Sequence, residues 1–273
     1  TACYGIFFNS QSLFNDGQVI GVIGAISLAF LMGLADDAYN TKPRLKFLVQ
    51  VFCGIILIIS SKYTNQHESL VIQLFESNYL NYGITIFWVV AMMNSINMLD
   101  NMDGITAQTS FFIITTAIIF LSFNSGFEKY DYMICLGAIG SLIGFLFYNF
   151  HPSRMFMGDS GSQFLGLLVA IIGIKYFWNI EDFKTGATIP TKQIVTVLIV
   201  FTLPIVDTTS VVINRIARKS SPFVGGKDHT THHLSYLGFN DTQISFIFAG
   251  ISFLSCIIAI SIYRFVNHWT WIN

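Results

Sequence analysis

Tyr82-Gly83-Ile84-Thr85-Ile86-Phe87-Trp88-Val89-Val90-Ala91-Met92-Met93 runs without a charge into Asn94-Ser95-Ile96-Asn97-Met98-Leu99-Asp100-Asn101-Met102-Asp103-Gly104. The first half is apolar enough to enter a bilayer. The second half crowds three asparagines and two aspartates into eleven residues. Polar groups in such a place are expensive to desolvate, and an acid in or beside a membrane span is a candidate functional site by default.

The rest of the chain has the same character. Of its 273 residues 53% are hydrophobic, 15% aromatic and only 11% charged, where soluble chains carry roughly 25% charged residues. Mean hydropathy is +0.62. A large soluble helical core is excluded, because too few charges remain to coat it. A net charge of −1 gives no reason to expect nucleic acid as a partner. Cys3, Cys53, Cys135 and Cys256 lie far apart in or beside apolar runs, without a C-x-x-C, and read as buried packing residues.

A spanning helix needs about 20 mostly apolar residues. Runs of that kind predict eight complete spans, at about 18–35, 45–60, 82–97, 105–122, 131–149, 161–179, 193–213 and 242–265. Polar connections rich in Gly, Pro, Asn and Ser separate them. The expected fold is an all-α polytopic membrane helix bundle, one integral-membrane domain over 1–273, with no internal repeat. No basic region precedes a cleavage site, so no signal peptide is expected. Thr1 to Phe8 reads as the tail of a further, partial apolar segment, so the sequence is expected to be a piece whose start is missing.

Alternating the loops between two sides puts every compact polar cluster on one of them, side one. These are Asp36-Asp37, Asp100 with Asp103, Asp159, and the histidines at 229–233. Basic residues divide eight to side one and six to side two, and the tight groups at 42–46 and 215–219 favour side one as cytoplasmic.

Each cluster has a chemical reading beside a plain one. Acids at a helix C-terminus, as at Asp36-Asp37, oppose the helix dipole. A solvated helix end would choose other residues, and Mg²⁺ takes one or two carboxylates plus substrate phosphates. Arg44 and Lys46 serve either membrane orientation or phosphate contact. Asn94, Asn97 and Asn101 share one face if the helix continues, and Asp100 and Asp103 point together if it reaches Gly104. Asn94 also suits helix-to-helix hydrogen bonding. Asp159 opens a helix, where a diphosphate is favoured, and Ser160-x-x-Gln163 fits a capping box. Gly158 and Gly161 let backbone approach a ligand. Phe156 is either core or a stacking surface for a base. Pro204 is expected to bend the span at 193–213, with Asp207 as support for the site or a helix-packing acid. His229, His232 and His233 lack structural zinc spacing and suit phosphate contact or acid–base work.

The ordered set Leu34-Ala35-Asp36-Asp37, Arg44-x-Lys46, Asn97-x-x-Asp100-x-x-Asp103-Gly104, Phe156-Met157-Gly158-Asp159, Pro204-x-x-Asp207-Thr208 and His229 to His233 resembles the polyprenyl-phosphate N-acetylhexosamine-1-phosphate transferases. The resemblance covers nearly the whole chain. It implies a Mg²⁺-dependent enzyme (Mn²⁺ being the alternative ion). That enzyme would move N-acetylhexosamine 1-phosphate, GlcNAc in particular, from a UDP-sugar to membrane undecaprenyl phosphate and release UMP. It implies Asp159, Asp36 and Asp37 as metal and catalytic residues, one of the last two being base or nucleophile. Asn94, Asn97, Asp100 and Asp103 would line the nucleotide pocket, Asn149 would position the nucleotide, and Phe156 would stack on uracil. Arg44 and Lys46 would contact substrate, and His232 and His233, also catalytic, would contact phosphate or support the base.

The family pattern has two further helices and a basic loop ahead of the first span, and often His-x-His-His where this chain has His229-Thr230-Thr231-His232-His233. The text from Thr231 to Gly238 looks more like the GlcNAc-1-phosphate branch than the muramoyl-pentapeptide branch. That branch starts O-antigen, teichoic acid or similar surface glycans in the bacterial inner membrane, with the site on the cytoplasmic face, and a homodimer is compatible with it.

Two other protein classes fit these positions less well. An ion-coupled transporter places acids at mid-span, whereas these acids sit at span ends. A prenyltransferase with paired Asp-rich motifs would lack the Phe-Met-Gly-Asp loop and the histidines.

Overall fold

The computed structural model describes residues 17–61, 70–123, 129–182, 186, 188–219, 221 and 228–266. The expected partial span at Thr1–Phe8, Cys3, and the loop residues Gly225 to Lys227 lie outside them.

Among the described residues ten α-helices follow one another: α1 Gly17–Tyr39, α2 Pro43–Ser61, α3 Asn78–Leu99, α4 Ile105–Phe123, α5 Lys129–Asn149, α6 Gly158–Gly173, α7 Pro190–Val200, α8 Thr202–Ala217, α9 Thr230–Tyr236 and α10 Asp241–Phe265. A π-helical turn, Ile174–Trp178, extends α6. Among the described residues the only extended pairing is one antiparallel bridge, Glu181 to Thr188. The protein is an all-α, multi-pass membrane bundle. Among the described residues seven helices are long and apolar enough to cross a membrane, and α7 with α8 makes an eighth if the bent pair is one span.

The second and third predicted spans are longer than their apolar runs, because polar residues at both ends of α2 and α3 stay helical. The seventh is corrected. It is not one helix bent at Pro204 but two helices meeting at Phe201 at 78°. The Thr202 hydroxyl donates to the carbonyls of Leu198 (2.8 Å) and Ile199 (2.7 Å), satisfying backbone acceptors at the break. Pro204 falls in the first turn of α8, where a missing N–H costs least.

The centre of the bundle is α6, buried over 72% of its span against 11% for α5. It packs on α1, α3 and α4. Polar side chains tie these contacts where lipid offers no partner. Gln50 of α2 exchanges hydrogen bonds with Asn94 of α3 (2.7 and 3.2 Å) and donates to Gln163 of α6 at 3.0 Å. The Trp88 indole N–H donates to the Ala170 carbonyl at 3.1 Å, and its ring meets Phe201 edge-on at 4.9 Å beside the helix break. Cys53, Cys135 and Cys256 are free and buried, as expected. On side two, Lys192 and Asp182 form a buried ion pair at 2.6 Å, each side chain 3% exposed.

Candidate active site

The site begins where α1 ends. Gly33, one turn before the two aspartates, lets α1 lie directly on the first turn of α6. A Cβ there would stand 2.3 Å from the Asp159 carbonyl oxygen and 2.5 Å from Ser160 Cα. This contact delivers Asp37 to the α6 N-terminus. Its Oδ1 accepts from the Asp159 N–H at 2.7 Å and its Oδ2 from the Ser160 N–H at 2.9 Å. Helix α6 is therefore capped by a carboxylate from another helix, which satisfies two orphan donors. The expected Ser160–Gln163 box is corrected: Met157 holds the cap position without a side-chain bond, and Gln163 is bonded to Gln50 instead. A capping box is formed instead at Asn240–Gln243. Gly158, the first residue of α6, has φ +66°, and a Cβ there would stand 3.0 Å from Asp37 Oδ2.

Asp36 points the other way. Its Oδ1 accepts from the Thr41 N–H (2.9 Å) and hydroxyl (2.5 Å), and its Oδ2 lies 2.8 Å from Lys46 Nζ. The same ammonium stands 3.2 Å from Asp159 Oδ2. The other Asp159 oxygen accepts from the Asn97 amide, whose NH₂ also donates to the Ser162 hydroxyl at 2.8 Å. Asp36 and Asp159 thus share one cation at the ends of three helices. Lys46 reaches it from α2, four residues from Gln50, so one face of α2 supplies both the ammonium and the interhelical amide.

The 94–104 stretch divides. Helix α3 stops at Leu99, so Asp100, Asn101 and Asp103 leave the helical face on which Asn94 and Asn97 remain, and the two aspartates do not pair as a helical turn would have made them. Asp103 accepts from the Ser153 N–H (3.1 Å) and hydroxyl (2.8 Å) and faces His151 Nδ1 at 3.1 Å. Burial raises its pKa, but the Ser153 and His151 bonds outweigh that and hold it below the ordinary value. Asp100 goes the other way. Burial pushes it up to about 6, the charges of Asp159 and Asp103 adding to the rise against the pull of the Thr106 hydroxyl.

Asn149 is buried. It accepts from the Gly104 N–H at 3.0 Å and donates to the Met155 carbonyl at 2.8 Å, joining the acidic loop to the loop that carries Phe156. Phe156 is 76% exposed, so it is not core. Arg44 is exposed on the same side.

The histidines are on α9 and at its start. His229 is buried, with Nδ1 2.9 Å from Asp207 Oδ2, while His232 is half-buried and His233 exposed. Thr231 donates to Asn101 at 2.6 Å, so the histidine segment touches the acidic loop directly. The four clusters placed on side one by alternation meet there.

Among the described residues no three His, Cys, Asp or Glu side chains converge as a ligand set. Asp36 and Asp159 with a shared cation form a two-carboxylate site, and Asp37 is spent on the α6 amides. That donor set fits Mg²⁺, which takes one or two carboxylates and leaves its other positions to phosphates and water. Sequence reasoning gave no role to Gln50, Ser162, Thr231, Ser153 and His151. The usable signal for Gln50 was an uncharged polar residue inside an apolar run. The loop partners carry no periodic signal.

The chain is similar over 92% of its length, and 68% of the relative's, to a probable undecaprenyl-phosphate N-acetylglucosaminyl 1-phosphate transferase of Bacillus subtilis, at 29% identity. It is 26% identical to a phospho-N-acetylmuramoyl-pentapeptide-transferase of Campylobacter jejuni, over 91% of this chain and 74% of that one. A protein of the same description from Rickettsia canadensis is 27% identical over 89% and 71%. The model of glycosyl transferase family 4 matches residues 19–177, from the start of α1 through the π-turn that ends the central helix. Those residues hold the Asp36–Lys46–Asp159 centre, and the chain belongs to glycosyl transferase family 4.

Proposed function

We propose that this protein transfers N-acetylhexosamine 1-phosphate, with GlcNAc as the sugar, from a UDP-sugar to undecaprenyl phosphate and releases UMP. This is the first membrane step of a cell-surface polysaccharide, at the cytoplasmic face of the bacterial inner membrane. The observation that carries it is the convergence of Asp36 and Asp159 on one cation at the side-one ends of the spans. There a membrane-held phosphate and a water-soluble nucleotide can meet. A transporter would need such carboxylates at mid-span.

In the reaction an oxygen of the polyprenyl phosphate attacks the sugar-linked phosphorus. The bond from that phosphorus to the bridging oxygen breaks, and UMP leaves with the bridging oxygen. Asp36 or Asp37 takes the proton of the acceptor phosphate. Bound Mg²⁺, or Mn²⁺ in its place, would offset phosphate charge between Asp36 and Asp159. Lys46 and Arg44 supply further positive charge, and Asn97 fixes the Asp159 carboxylate. Asp100 and Asp103 form the nucleotide wall, and Phe156 presents a face to the uracil. Asn94 and Asn149 support that pocket through the helix and loop contacts they make. His232 and His233 contact donor phosphate.

The test is UMP release by purified protein given undecaprenyl phosphate, Mg²⁺ and a panel of UDP-N-acetylhexosamines. Release with UDP-GlcNAc is expected. Release only with another donor reassigns the sugar, and no release with any donor overturns the reading.

A further inference from the structure

Helix α9 has seven residues, too few to hold a helix in place by itself. Its position is fixed from outside. Asp207 of α8, 1% exposed, receives two donors at the α9 start: His229 Nδ1 at 2.9 Å on Oδ2 and the Thr230 N–H at 2.8 Å on Oδ1. A carboxylate oxygen only accepts, so at this distance Nδ1 carries the proton, and in the neutral ring Nε2 is left as the acceptor. Thr231, fully buried, ties the same turn to Asn101 of the acidic loop at 2.6 Å. Just ahead, Asp228 is held by Arg218 at 2.6 Å and Arg215 at 3.4 Å, both at the end of α8.

We propose that Asp207 is a positioning residue for the transfer, aiming the histidine helix at the acidic loop through His229 and Thr230, a role that rests on the transferase reading above. One side chain sets both the tautomer of His229 and the start of the helix that carries His232 and His233. The Thr231–Asn101 bond then fixes that helix against the loop after α3.

The test separates these jobs in the full chain. In Asp207→Asn the amide oxygen still accepts from Thr230, but its NH₂ faces His229 and forces the ring proton to Nε2. Turnover should fall about 10- to 100-fold, the usual effect of losing an orienting partner, with KM for the UDP-sugar little changed and amide exchange across 230–236 kept. In Asp207→Ala that exchange should accelerate while the α6 amides stay protected. Added to His229→Ala, Asp207→Asn should cost nothing more. Wild-type turnover in Asp207→Asn, an equal loss in the His229→Ala background, or unchanged exchange in Asp207→Ala would each overturn the proposal. If the wild-type chain releases no UMP from any donor, the transferase reading fails instead, and the exchange comparison still decides whether Asp207 holds α9.

Discussion

Gly33→Ala tests the contact on which the site is built. The added methyl would lie 2.3 Å from the Asp159 carbonyl oxygen, 2.5 Å from Ser160 Cα and 2.6 Å from the Asp159 carbonyl carbon. All three are backbone atoms, so no side chain can swing aside. Reaching ordinary contact requires α1 and the first turn of α6 to part by about 1 Å in a closely packed interior. The Asp37 bonds, now 2.7 and 2.9 Å, would then exceed the usual hydrogen-bond range, and Asp36 would be displaced from Asp159. A misplacement of about 1 Å costs roughly 100-fold in rate. Overpacking costs about 1–3 kcal/mol, partly offset by the roughly 0.5–1 kcal/mol that Ala gains over Gly in a helix. Gly24→Ala, in the same helix with nothing within 4 Å of the new Cβ, is the control and should be neutral or slightly stabilising. UMP release and thermal unfolding of both variants in one detergent decide the matter. Gly33→Ala turning over at the Gly24→Ala rate would refute the claim that this close approach assembles the site.

Asp159→Asn should remove nearly all turnover while the chain remains folded; a variant with wild-type UMP release would sink the metal-ligand role. Asp100 has a raised pKa, about 6, so the fold favours its protonated form. Its contribution is fully favourable below the ordinary value near 3.9 and is lost as pH rises through about 6. Asp100→Asn should therefore match wild type in thermal stability at low pH and exceed it above pH 6; parallel curves across that window would contradict the sign. Lys192→Met removes the ammonium that pairs with the buried Asp182 carboxylate, at a cost of about 3–5 kcal/mol, and adding Asp182→Leu should recover most of it. Denaturation that is equal in the single and double variants would count against the pair.

Much of the bundle was legible because a lipid-facing helix must be apolar over its whole length, and each long run marked a span. The site's location was legible through alternation, which put Asp36, Asp159, Asp103 and His229 on one side before any contact was known. Hydropathy does not record direction, so the break at Phe201 was hidden inside an apolar run that read as continuous. The end of α3 at Leu99 was hidden too, since Asp100 and Asp103 keep helical spacing without being helical.

The sequence by itself determined a multi-pass helical membrane protein with its compact polar clusters at the span ends of one side, because burial of apolar length and exclusion of charge are local properties of the chain. Which acid does what was decided only by the tertiary structure. Asp36 and Asp37 are neighbours with the same chemistry, yet adjacent helical residues point about 100° apart. One therefore turns to Lys46 and Asp159 while the other caps α6, a division that exists only because Gly33 lets the two helices touch.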